Sequence, residues 1–155
     1  MDDVSWMNKA IAQAEYALEK NEVPVGCVIV HNRRIIGRAY NQIESLQDPT
    51  AHAEIIAITA AAEHLKSRRL EGCTLYATLE PCVMCCGAMV LARIDRLVFG
   101  ARDPKAGAAV SLYNIPTDNR LNNRIEIEEG VLADECGRML SEFFRKLRNK
   151  KVIDG

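Results

Sequence analysis

Two short segments carry side chains suited to metal binding and proton transfer. The first is "PCVMCC" at residues 81–86, where Cys82 and Cys85 stand three apart at the expected start of a helix. At 3.6 residues per turn they lie about 60° apart around the axis, so both sulfurs can converge on one point. A helix N-terminus adds unpaired N–H groups and partial positive charge, which favour the thiolate that metals bind. Two buried thiols on an apolar helix face would give the same letters. The second segment, "TAHAE", puts His52 and Glu54 in the first turn of another helix. Alone, that histidine reads as satisfied by a backbone partner and that glutamate as a solvated carboxylate. Taken with the two cysteines they acquire a sharper meaning. Two thiolates and one imidazole are three zinc ligands with a fourth position left for water, the composition of a catalytic rather than a closed structural site. Glu54, about 200° around the axis from His52, need not be a ligand. It can take a proton from an activated water and return it to a ring nitrogen and a leaving amine. Such chemistry suits hydrolytic deamination of an amidine-like carbon in a nucleobase.

The remaining cysteines read differently. Cys86 follows Cys85 by about 100° and points away from the metal into the core. Cys27, Cys73 and Cys136 stand in apolar surroundings and read as buried small hydrophobes. His31 and His64 have no cysteine neighbours and read as structural or exposed.

The elements that must position these residues follow from periodicity. Residues 5–20 repeat Met7, Ile11, Ala14 and Leu18 at helical spacing, with Ser5 as N-cap. "GCVIV" and "RIIGRAY", separated by "HNR", predict two strands and a tight turn. An Ala-rich helix is predicted from roughly residue 50 to 65, followed by the strand "CTLYATL". A helix starts at "PCVMCC" with proline at its first position. "RLVFGA" and the alternating "RIEIEEG" predict further strands around a long loop, and residues 132–149 a final helix with a basic end. This order predicts a single α/β domain over residues 1–155, one central sheet with helices on both faces.

Composition sets limits on function. The chain has 155 residues, is 48% hydrophobic and 26% charged, and carries a net charge of −1. That balance argues against a protein that coats nucleic acid nonspecifically, which needs a broad positive field. The start "MDDVSWMNK" is acidic where a signal peptide is basic, and no apolar run is long enough to span a membrane. The expectation is a soluble, intracellular, cytoplasmic protein. In a reducing compartment, six cysteines are not expected to form a disulfide framework.

"HAE" followed by "PCVMC" resembles the zinc-dependent nucleobase deaminases. Further blocks, "NEVPVGCVIV", "DPTAHAE", "VFGARDPKAGAA" and "LSEFFRKLR", resemble the bacterial tRNA-specific adenosine deaminases over roughly residues 5 to 150. The pairing of the two metal segments rests on this resemblance. It implies a three-layer α-β-α cytidine-deaminase-like fold with a mixed sheet. It also implies one Zn²⁺ per subunit held by His52, Cys82 and Cys85, with Glu54 as the catalytic proton shuttle. The implied reaction is conversion of adenosine to inosine at the wobble position of a tRNA anticodon loop, by a homodimer with no membrane or DNA partner. An enzyme acting on free guanine, cytosine or nucleosides is the rival reading.

For the substrate, the resemblance implies Asn41 as a nucleoside-binding carboxamide, Val25, Ala53 and Leu79 around the base, and Asp103 on a substrate loop. Without it, Asn41 reads as a strand-end turn residue and Asp103 as an Asp-Pro turn. In "FFRKLRNKK", Phe144 is assigned to support a splayed base, and Arg145 and Arg148 to meet phosphates. A basic final turn also complements the helix dipole. The chain departs from the family at Cys86, where a small residue is frequent, and at Asn123, which stands in place of a histidine.

Overall fold

The computed structural model describes residues 1–154, with side chains described through residue 152. The chain runs α1 (Asp3–Glu19), β1 (Gly26–His31), β2 (Arg34–Tyr40), α2 (Ile43–Leu46), α3 (Ala53–Leu65), β3 (Thr74–Leu79) and α4 (Val83–Ala92). It continues with β4 (Arg96–Ala101), a 3₁₀ turn (Ile115–Thr117), β5 (Glu126–Glu129) and α5 (Ala133–Asp154). The five strands form one mixed sheet in the order β2-β1-β3-β4-β5. Neighbours β2, β1 and β3 pair antiparallel, whereas β3, β4 and β5 pair parallel.

Strand alternation divides the core into two layers. Cys27, Ile29, Leu75, Ala77, Leu97 and Phe99 face α3 and α4, while Val28, Val30, Tyr76 and Val98 face α1 and Cys136 of α5. The three-layer α/β architecture implied by the resemblance is the one observed. Among the described residues no helix is long and apolar enough to cross a membrane.

Small residues bring the layers close. A Cβ on Gly26 would lie 2.0 Å from the carbonyl oxygen of Ala10, so only glycine lets α1 seat on β1. In the β1–β2 turn Asn32 and Arg33 both have positive φ, 50° and 62°, the turn that matches strand twist.

Several boundaries differ from the sequence reading. Asp2, not Ser5, caps α1, and its carboxylate accepts from the Ser5 N–H at 2.9 Å. An aspartate five positions before the apolar repeat extends the helix by a turn. Pro81 precedes the N-cap Cys82 rather than occupying the first helical position. His52 is likewise the N-cap of α3, in extended backbone, not a first-turn residue. Both displacements aim the side chain past the helix end. The final helix continues to Asp154, and α2 was not anticipated.

Candidate active site

α3 and α4 pack side by side on the sheet, and their N-caps meet. His52 Nδ1 lies 3.6 Å from Cys82 Sγ and 3.6 Å from Cys85 Sγ. All three potential ligand atoms are within 4.8 Å of one another. For a tetrahedral ion with Zn–S of ~2.3 Å and Zn–N of ~2.05 Å, sulfur and nitrogen stand about 3.5 Å apart. The donor set and its spacing therefore fit zinc.

Electrostatics agree with that fit. A hydrogen bond from Cys85, seconded by His52, holds the Cys82 thiol down at about 3. The Cys85 thiol is pushed far up by the same pairing and by burial. The contact with Cys82 raises His52. A cation bound here would displace the remaining thiol proton.

Glu54 is 4% exposed, and its Oε1 is buried with no hydrogen-bond partner among the described residues. Burial raises its pKa, which moves a proton-transferring carboxyl towards neutral pH. A buried acceptor without a partner is costly, and it points to a ligand.

In front of this cluster is a cavity of about 170 Å³, below the ~300–1,000 Å³ of drug-sized sites and on the scale of one heterocycle. His52, Glu54 and Cys82 form one side; Val25, Ala53 and Leu79 supply apolar wall. Asn41 and Asp103 complete it. Asn41 donates through Nδ2 to the Val23 carbonyl at 3.3 Å and accepts at Oδ1 from the Ile43 N–H at 3.2 Å. One amide hydrogen and one lone pair remain for a ligand. Asn41 is thus both the turn residue and a pocket residue. Asp103 is similar: its Oδ1 accepts from the Lys105 and Ala106 N–H groups, closing the Asp-Pro turn at the pocket rim.

The rim continues into a groove of about 660 Å³ shared by Leu79, Asp103, Lys105, Phe144 and Arg148. Phe144 is 41% exposed there. Arg145 is exposed but does not line this groove, so the structure does not bring it to the other substrate candidates. Phe143 turns to a separate groove beside Leu18 and Lys146.

The surplus residues fall outside the cluster. Cys86 is fully buried, and its thiol donates to the Pro81 carbonyl at 3.6 Å. Cys27, Cys73 and Cys136 are buried in the core, as anticipated. His64 is exposed. Asn123 donates to the Ile94 carbonyl at 3.0 Å, so in this chain it ties its loop to the segment before β4.

Sequence reasoning missed two buried carboxylates beside the pocket. Glu22, 1% exposed, accepts from the N–H groups of Glu44 at 3.0 Å and Ser45 at 2.6 Å. Glu80, 2% exposed, lines the pocket and accepts from the loop that carries Asp103. Around Glu80 the sequence shows no more than a charge closing an apolar strand, "TLE".

Comparisons place this geometry among known proteins. The profile of the MafB19-like deaminases matches residues 1–148. A tRNA-specific adenosine deaminase of Bacillus subtilis (strain 168) is 52% identical over 149 residues, covering 96% of this chain and 92% of the relative. That of Aquifex aeolicus (strain VF5) is 49% identical, covering 95% and 97%. A structure from work on A-to-I editing by tRNA:A34 deaminases superposes with a TM-score of 0.83 at 42% identity, covering 86% of this chain and 97% of that one. A guanine deaminase from Nitrosomonas europaea, 23% identical with a TM-score of 0.76 over 88% of this chain and 81% of that one, shares the fold. With its histidine–dicysteine cluster, its unpartnered glutamate and these near full-length matches, the chain belongs to the tRNA-specific adenosine deaminase family.

Proposed function

We propose that the protein hydrolyses the 6-amino group of adenosine at the wobble position of a tRNA anticodon loop, leaving inosine. The observation that carries this reading is the unpartnered Glu54 oxygen beside the three-donor cluster, at the wall of a heterocycle-sized pocket. The names of the relatives supply the substrate class.

His52, Cys82 and Cys85 would hold one Zn²⁺, which when bound supplies Lewis-acid activation of water at neutral pH. Glu54 takes the proton released by that water and delivers it to ring N1. The same carboxyl then passes the second proton to the departing amine, so ammonia leaves and Glu54 ends as it began. Val25, Ala53 and Leu79 exclude bulk water from the ring. Asn41 orients the nucleoside through its spare amide hydrogen and lone pair. Asp103 shapes the rim, and Phe144 and Arg148 receive the neighbouring nucleotides, stacking on one base and neutralising a phosphate. A loop base costs less to extrude than a paired one.

Residues 1–155 act as one domain, in the cytoplasm where tRNA is used. The working unit is a homodimer. Val83 and Leu91 project from α4 at 50% and 78% exposure, and exposed apolar side chains of this kind suit a second copy. Light scattering that returns a monomer mass at micromolar concentration would remove the dimer.

The decisive experiment offers zinc-loaded protein an anticodon stem-loop, free adenosine, cytidine and guanine, and measures inosine and ammonia. Turnover of the stem-loop is expected. Turnover of free bases with an inert stem-loop would overturn the RNA substrate.

A further inference from the structure

The Glu80 carboxylate has no free capacity. Its Oε1 accepts from the Asp103 N–H at 3.0 Å and from the Ser111 hydroxyl. Its Oε2 accepts from the N–H groups of Ala109 at 3.2 Å, Val110 at 2.9 Å and Ser111 at 2.8 Å. A carboxylate saturated by such donors is not a proton shuttle and not a ligand; it is the centre around which a loop is wound.

That loop joins β4 to the 3₁₀ turn, and Asp103 and Ala106 of it face the pocket. Its midpoint rests directly on the carboxylate. A Cβ on Gly107 would lie 2.3 Å from Glu80 Cδ. The loop's other anchors belong to the same stretch of chain: Ala108 N–H donates to the Pro81 carbonyl at 2.8 Å, and Glu80 N–H to the Ala101 carbonyl at 2.8 Å. Two residues after Glu80 comes Cys82, the N-cap of α4. One short segment therefore holds both the metal-side sulfur and the wall opposite.

We infer that Glu80 is a positioning residue for the substrate: its carboxylate sets the distance between the Asp103–Ala106 wall and the metal-side wall, and so the fit of the extruded nucleotide. The inference rests on the proposed function only for the identity of that nucleotide. Replacing one carboxylate oxygen by an amide NH₂ places donors against donors, which releases the loop while keeping side-chain volume.

The test compares wild type with Glu80→Gln and, from the other side of the contact, Gly107→Ala. Hydrogen exchange on the substrate-free protein reads the brace directly. Faster exchange is expected at the amides of residues 103 and 109–111 in both variants, with α1 unchanged. Zinc content should stay at the wild-type value. In the stem-loop assay KM should rise by about 10–100-fold, the scale on which a displaced positioning wall costs an enzyme, with a smaller change in kcat. The double variant should be no worse than the poorer single one, because both break one contact.

Unchanged exchange at those amides would overturn the inference. So would a fall in kcat at constant KM, which marks loss of folded protein, and so would additive effects in the double variant. Should wild type not turn over the stem-loop, the functional reading fails, while the exchange arm still decides whether Glu80 holds the loop.

Discussion

The two ends of the parallel strand pair treat their carboxylates in opposite ways. At the start of β3 and β4, Asp3 accepts two hydrogen bonds from Arg96, each 2.8 Å, and one from the Tyr76 hydroxyl at 2.8 Å. At the far end, past Leu79 and Ala101, Glu54 keeps Oε1 without a partner among the described residues. One carboxylate is satisfied and ties α1 to the sheet; the other is left unsatisfied where a ligand must complete it. Stability is built at one end and tension is kept at the other, as expected when a reactive group must be free to exchange protons. Glu80 and Glu22 stand next to the tension and hold the surrounding loops still, so the unsatisfied group faces a fixed cavity.

Mutations at the two ends should therefore have mirrored effects. Glu54→Gln is expected to lower kcat by about 10²–10⁴-fold, the usual worth of a general acid–base, while leaving the melting temperature no lower than wild type. A loss of stability with retained turnover would reverse the assignment. Phe144→Ala, on the groove at the same end, should weaken stem-loop binding by about 1–3 kcal/mol in a fluorescence titration, the worth of one base stacked on an aromatic ring.

Asp3→Asn is the converse case. It should cost about 1–3 kcal/mol of unfolding free energy, the scale of a charge-assisted hydrogen bond, with kcat unchanged. Its pH dependence has a definite sign. Hydrogen bonds from Arg96 hold the Asp3 carboxyl below its ordinary 3.8. The folded value is the lower one, so the contribution is complete above 3.8 and disappears as pH falls through the folded value. Denaturant titrations of wild type and Asp3→Asn should converge in that acid window; a constant gap would show that packing, not charge, is at stake.

Arg148→Ala should lower the slope of log affinity against log salt by about 0.7, one phosphate contact on a single strand. Arg145→Ala is the smallest effect. Exposed and outside the groove, it acts only through a screened field, and stem-loop affinity should change by less than about twofold. A larger loss from Arg145 than from Arg148 would move the RNA to another face of α5.

Legibility in the sequence followed how local each signal was. The CxxC spacing, the apolar runs of β1 and β3 and the Ala-rich α3 are short-range signals, and the observed elements agree with them. Asn41 and Asp103 looked like turn residues because they are turn residues; only their place on the pocket gives them a second use. Glu80 was invisible because its donors lie 23 to 31 positions further along the chain. Arg145 and Arg148 are indistinguishable in a basic run, and the turn of α5 alone separates them.

By itself the sequence determined the donor types, the presence of the two helices whose ends carry them and the apolar runs that become strands, because each depends on near neighbours in the chain. Tertiary structure alone decided that two N-caps thirty residues apart meet at 3.6 Å, and which carboxylates are saturated and which is left open. Those outcomes depend on the angle at which α3 and α4 cross the sheet and on loop closure, and neither is written in any short stretch of chain.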